Sequence, residues 1–172
     1  DKLRDTAQFA KIDLVTNLVG EFPELQGVAG GLLLEAEGVD KDISQAVYEH
    51  YRPVVAGGEL PKTLVGSVTA LADRLATIGA LFDVGEEPTG SRDPFGLRRA
   101  GNGVIRLVNE WQWPLSLEDL ASLTGGSDQV RNFFLERLQS HWLENGASTG
   151  EIRAVLRARV SPTEALQWGL GD

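Results

Sequence analysis

The stretch "LVGSVTALADRLATIGALF", Leu64–Phe82, decides the fold class. Leu64, Val68, Leu71, Leu75, Ile78 and Phe82 recur at steps of three and four, which places them on one side of an α-helix. The other side carries Thr69, Ala70, Asp73, Ala76, Thr77 and Ala80, most of them small. A helix that is apolar on one side and small on the other is expected to be covered on both, and so to lie at the centre of a helical bundle.

Towards the N-terminus the spacing stays helical. Leu3, Ala7, Ala10, Leu14 and Leu18 predict one face of a first helix. "GEFPELQG" breaks it, because Pro23 cannot continue a helix interior. Residues 25–37 read as a second helix stopped by Gly38. Asp40 is a candidate N-cap for a third, with Ile43, Val47 and His50 on one stripe, and Pro53 ends it. Towards the C-terminus, "DVGEEPTGSR" is turn-rich. Asp93 followed by Pro94 predicts a cap and a first-turn proline for a helix reaching about Glu110, where "WQWP" stops it. Further helix starts are marked by Ser116 with Asp119, Ser148 with Glu151, and Ser161 with Glu164. Ser127 precedes a helix bearing Val130, Phe134, Leu138 and Trp142. No period-two alternation is long enough for a sheet. The expected fold class is all-α, with a helical bundle over residues 1–110 and a helical connector over residues 111–172.

The bulk numbers agree with a folded chain. Of 172 residues, 42% are apolar and 24% charged, ordinary values for a globular protein. No stretch is read as the roughly 20 apolar residues a bilayer span needs, and no basic-then-apolar leader opens the chain. There is no cysteine, hence no disulfide and no thiolate metal site, which fits a reducing cytosol. Methionine is absent even at the first position, so the chain is read as a piece of a longer protein. The net charge of −9 is uneven: residues 1–91 hold seven Lys and Arg against fifteen Asp and Glu, residues 92–172 nine Arg against ten acids. That balance argues against indiscriminate nucleic-acid binding but leaves room for a local arginine patch.

Two constellations carry chemistry. In "PTGSRDPFGLRRAGNGVIRLV", Pro88–Val108, a helical wheel gathers Arg98, Arg99, Asn102 and Arg106 opposite an apolar side. Arg92 and the Thr89–Ser91 turn crowd the N-terminus of that helix, where backbone N–H groups favour anions. Gly101 and Gly103 would let a neighbour approach closely. The alternative is a solvated face whose arginines pair with Asp93 and Glu110. The segment is no phosphate-cradling P-loop, for it lacks the lysine pattern and a preceding strand. The second constellation is His50, Asp73 and Glu24, which could meet in space, either as a core histidine hydrogen-bonded to a carboxylate or as a metal site. No ligand pair at metal spacing exists, no serine sits in a nucleophile elbow, and the four tryptophans are read as packing residues.

Several long strings resemble the β subunit of the bacterial two-subunit glycyl-tRNA synthetase: "KIDLVTNLVGEFPELQGVAG" (Lys11–Gly30), "YEHYRPVVAGGELPKT" (Tyr48–Thr63), "ALADRLATIGALFDVGEEPTGSRDPFGLRRAGNGVIRLV" (Ala70–Val108) and "VRNFFLERLQSHWLENGASTGEIRAVL" (Val130–Leu156). That resemblance implies a cytoplasmic enzyme that makes glycyl-tRNA from glycine, ATP and tRNA as an α2β2 assembly. It implies that the α subunit carries the aminoacylation site and uses ATP and Mg, so this piece needs no cofactor or metal and has no catalytic residue of its own. Its partners would be the α subunit, the rest of the β subunit and tRNA, with no membrane and no DNA. The piece is similar to an HD-like helical domain plus a connector. In HD hydrolases a His, a His-Asp pair and a later Asp hold metal. Here the pair falls on Pro23–Glu24, the later acid on Asp73, and His50 stands as a remnant ligand. Proline ligates nothing, so the resemblance implies a scaffold that has lost its chemistry. Ile12, Ala29 and Ala76 depart from residues common in the family, where cysteine, methionine and a second aspartate are frequent. With the family in view, Arg92, Arg98, Arg99 and Arg106 are expected to touch tRNA. The rival readings are a surviving metal-dependent phosphohydrolase and a subunit-interaction module without RNA contact.

Overall fold

A computed structural model describes residues 1–157. Among them the chain is all-α, with no strand and only one isolated bridge, between Thr89 and Arg92. The helices are α1 (Lys2–Phe9), α2 (Asn17–Glu21), α3 (Val28–Ala36), α4 (Lys41–Glu49), α5 (Leu64–Asp83), α6 (Leu97–Glu110), α7 (Leu117–Leu123), α8 (Asp128–Glu144) and α9 (Thr149–Arg157). By packing, the chain forms two compact units, Asp1–Asp73 and Arg74–Asp172.

In the first unit α4 packs against both α3 and α1. Asp40 caps α4 as expected, its carboxylate accepting from the Asp42 N–H at 2.8 Å. Ile43, Val47 and His50 all turn inward. The close approach of α3 depends on Gly31, where a Cβ would sit 2.9 Å from the Cβ of Tyr48.

The expected first helix is broken. α1 ends at Phe9, a 3-10 turn covers Ile12–Val15, and Thr16 is extended before it caps α2. Leu3, Ala7, Leu14 and Leu18, four of the five predicted inner residues, are exposed, while Thr6, Ala10, Asp13 and Val19 are buried. The reason is polar. The Asp13 carboxylate reaches inward to accept the Gly27 N–H at 2.5 Å, and the Thr6 hydroxyl donates to the Lys2 carbonyl at 2.7 Å. Satisfied polar groups can occupy core positions that a hydrophobicity pattern assigns to leucine.

Helix α5 begins in the first unit. Ser67, Thr69 and Ala70 are buried in its first half, but Leu64, predicted to face inward, is exposed, and so are Ala76, Thr77 and Ala80, so the expected two-sided burial is only partial. By length and composition α5 is apolar enough to cross a membrane, contrary to the reading that no stretch comes near it, and half of that window is buried inside the protein. Polar Ser67 and Thr69 and charged Arg74 are among its buried residues, as in the core helix of a bundle.

In the second unit α8 packs on α6 and α7. Val130, Phe134, Leu138 and Trp142 are its buried stripe, as the spacing predicts. Ser116 and Asp119 form a reciprocal capping box at α7, Ser148 and Glu151 do the same at α9, and Ser127 caps α8. The Ser161–Glu164 start and Trp168 lie outside the described residues. Trp142 is core, and Trp111 and Trp113 stack on each other with centroids 6.1 Å apart.

Candidate functional site

The arginine segment starts at a tight turn. Thr89 and Arg92 exchange backbone hydrogen bonds of 3.0 and 2.8 Å, closed over Gly90 at a φ of 51°. Helix α6 begins at Leu97, three residues later than Asp93–Pro94 predicts, with left-handed Gly96 at the cap position. Asp93 caps it all the same, from one turn ahead. Its two carboxylate oxygens accept the N–H groups of Leu97 (2.8 Å) and Arg98 (3.0 Å). The free N–H groups that made this helix start a candidate anion seat therefore already hold the chain's own carboxylate.

The four arginines fall into different surroundings. Arg92 and Arg99 are exposed. Arg98 is half-buried and donates to the carbonyls of Gly90 (2.7 Å) and Arg92 (3.4 Å), tying the turn to the helix. Arg106 is half-buried with Nη1 enclosed, and its charge acts on His141 of α8. Asp93, one of the acids the alternative pairs with these arginines, bonds the backbone N–H groups of Leu97 and Arg98. The expectation for the glycines is met. A Cβ at Gly101 would sit 2.8 Å from the Phe133 ring, and one at Gly103 would sit 2.7 Å from Nε of Arg74.

Of the second constellation, His50 and Asp73 come together and Glu24 does not. Glu24 lies exposed in the 3-10 turn Pro23–Leu25. His50 is fully buried, and its Nδ1–H donates to the Val47 carbonyl at 2.7 Å. The Tyr51 ring lies 4.0 Å from it, and the Lys11 ammonium sits 4.2 Å over that ring while pairing with Asp73 at 2.9 Å. The Tyr51 hydroxyl donates to Asp13 at 3.4 Å. Asp13, Lys11 and Tyr51 were not singled out from the sequence. The usable sign was an acid, Asp13, set among Ile12, Leu14 and Val15. Among the described residues no three His, Asp or Glu side chains converge as metal ligands. Burial holds His50 below its ordinary 6.5, with the Lys11 charge acting the same way, against the Val47 hydrogen bond and the charges of Asp73 and Asp13. Burial also lifts the Tyr51 phenol well above its ordinary 10.

A pH dependence follows. His50 is neutral in the fold and takes a proton more readily when unfolded, so its contribution is complete above about pH 6.5 and is lost as pH falls through its lowered folded value. His141, also held low by burial, adds in the same direction. Urea-unfolding stability should therefore drop between about pH 7 and pH 5. In His50→Asn, whose amide can still donate to Val47, that slope should be shallower. An equal slope would assign the acid sensitivity elsewhere.

What the geometry defines is an all-α module with a cationic turn leading into a capped helix. The chain belongs to the glycyl-tRNA synthetase beta subunit family, whose model matches residues 1–157. Among its relatives, the glycine–tRNA ligase beta subunit of Thiobacillus denitrificans is 44% identical over 165 residues, 90% of this chain and 24% of that protein. The one from Phenylobacterium zucineum is 46% identical over 154 residues, 90% of this chain and 22% of that protein. The one from Paracidovorax citrulli is 44% identical over 162 residues, 89% and 23%. The chain thus spans about a quarter of the length of the curated relatives it matches.

Proposed function

We propose that this chain is a tRNA-handling and scaffolding part of the beta subunit of a glycine–tRNA ligase, an ATP-dependent enzyme of the cytoplasm. In this reading residues 1–110 are an HD-like domain without chemistry and residues 111–172 a helical connector, and α6 and α8, on either side of that division, pack on each other. The alpha subunit holds the aminoacylation site with its ATP and Mg. The observation that carries the reading is the family match across residues 1–157 together with the arginine turn inside it. Arg92, Arg98, Arg99 and Arg106 are the proposed contacts. Guanidinium groups reach phosphates in paired geometry and position an RNA without reading its sequence. The loss of hydrolase chemistry is supported by Lys11, whose ammonium pairs with Asp73 beside His50. The scaffolding role is supported by Leu14, Val15, Leu18 and Phe22, a run of exposed apolar side chains of which Val15 is 85% exposed, the sort of surface that meets another protein.

The test is charge reversal in the assembled enzyme. Arg92→Glu and Arg99→Glu, the two outermost changes, should raise KM for tRNA. Each lost phosphate contact should flatten the salt dependence of binding by a slope of about 0.7–0.9. Wild-type KM and slope in the double variant would remove the arginines from the reading. Metal-dependent phosphatase turnover by the chain would favour the phosphohydrolase instead.

A further inference from the structure

We propose that the second unit seats one unpaired nucleobase, in the cleft between Phe82, Arg98 and the outer face of α8. The inference rests on the tRNA-handling reading and names what that reading does not: a place where RNA is held by a base rather than by phosphate.

The cleft has a volume of about 220 Å³. One wall is aromatic, made by Phe82 at the end of α5 and Phe133 on α8, with ring centroids 5.4 Å apart. Gln129, Asn132 and Glu136 line it from the exposed side of α8, at the three- and four-residue spacing that brings them onto one face with Phe133. Glu87 closes it from the loop. Aromatic wall, amides and carboxylates together match a flat ligand with both donors and acceptors on its edge. Unstacked RNA bases are held in this way, stacked on aromatic rings and hydrogen-bonded on their edges. A carboxylate suits an exocyclic amine, such as that of cytosine.

Charge decides which end of a nucleotide enters. Two carboxylates line the cleft against one guanidinium, and the Arg98 guanidinium already donates to the Gly90 and Arg92 carbonyls. A phosphate is repelled there, and a neutral base is not. Arg98 both lines the cleft and bonds the backbone carbonyl of exposed Arg92, so the turn bearing Arg92 adjoins the cleft wall. In this proposal the base enters the cleft and its phosphate faces outward, towards the turn that carries Arg92. A stacked duplex offers no such base, so the ligand is a single-stranded or flipped nucleotide.

The experiment uses the complete enzyme and a glycine-tRNA transcript. Asn132→Ala and Gln129→Ala change exposed side chains, and each should weaken tRNA binding by about fivefold, the worth of one net hydrogen bond. Phe82→Leu keeps the apolar wall but loses the stacking face, and should weaken it by about tenfold. None should alter the salt slope. One tRNA base protected from base-specific chemical modification in the wild-type complex should become reactive in Asn132→Ala. If Asn132→Ala keeps wild-type affinity and footprint while the Arg92 and Arg99 reversals still weaken binding, the base seat is overturned and the tRNA reading stands. If neither set matters, both fall. A flattened salt slope in Asn132→Ala would put phosphate in the cleft. Weakened subunit association with unchanged tRNA binding would put a protein side chain there. Either result overturns the proposal.

Discussion

Glu49→Ala should destabilise the purified chain by about 3 kcal/mol, since hydrogen bonds to a charged group contribute roughly 1.5–3 kcal/mol and several are lost together. The carboxylate is 1% exposed. One oxygen accepts the N–H groups of Lys62 and Thr63, both at 3.1 Å, and the Thr63 hydroxyl at 2.9 Å. The other accepts from Gln45 at 2.7 Å. Those two N–H groups stand just ahead of α5, where backbone donors lack partners within the helix and negative charge is favoured. A residue from α4 thus caps the helix that follows a long loop, and alanine leaves the Lys62 and Thr63 donors without their carboxylate, while exposed Gln45 turns to water. Glu49→Gln keeps an acceptor for the α5 start, and Gln45 can turn its amide to match, so it should cost only about 1 kcal/mol. Urea unfolding measures both. Equal losses in the two variants would mean that packing rather than capping is at stake.

Phe134→Ala should be as damaging, about 3–5 kcal/mol, because removing a buried ring forfeits its transfer energy and leaves a cavity. Phe134 is fully buried on α8, edge-on to Phe133 with centroids 5.6 Å apart. Phe134→Leu retains most of the volume and should cost about 1–1.5 kcal/mol. The loss belongs to the second unit, so amide exchange should accelerate in α6, α7 and α8, whereas for Glu49→Ala it should accelerate in α4 and the start of α5. Exchange unchanged in α6 would contradict the packing of α8 upon it.

These residues also mark what sequence reasoning reaches. Phe134 sits in a clean stripe and was legible, as were the caps at Asp40, Ser116, Ser127 and Ser148, because capping needs only neighbours two or three residues away. Glu49 and Asp13 were not legible. Each is a buried acid that accepts backbone N–H groups 13 or 14 residues off, and only Asp13, set among apolar neighbours, carries a local sign of its burial. The start of α6 was displaced because Asp93 bonds the helix from four and five residues ahead rather than as its first flanking residue. Leu3, Leu14 and Leu18 misled for a different reason. Periodicity reports two unlike faces, and here the buried face includes Thr6 and Asp13 while leucines look outward. His50 and Asp73 were singled out, but the Lys11 ammonium was not, since nothing in "AKIDL" reveals that Lys11 lies over Tyr51 and pairs with Asp73.

That ammonium has a consequence for the living cell. A cation covalently attached to the polypeptide is made at translation, in fixed stoichiometry, and no chelator or metal shortage can strip it. The Lys11–Asp73 ion pair is therefore present whatever the metal supply, and it forms without waiting for an ion to arrive.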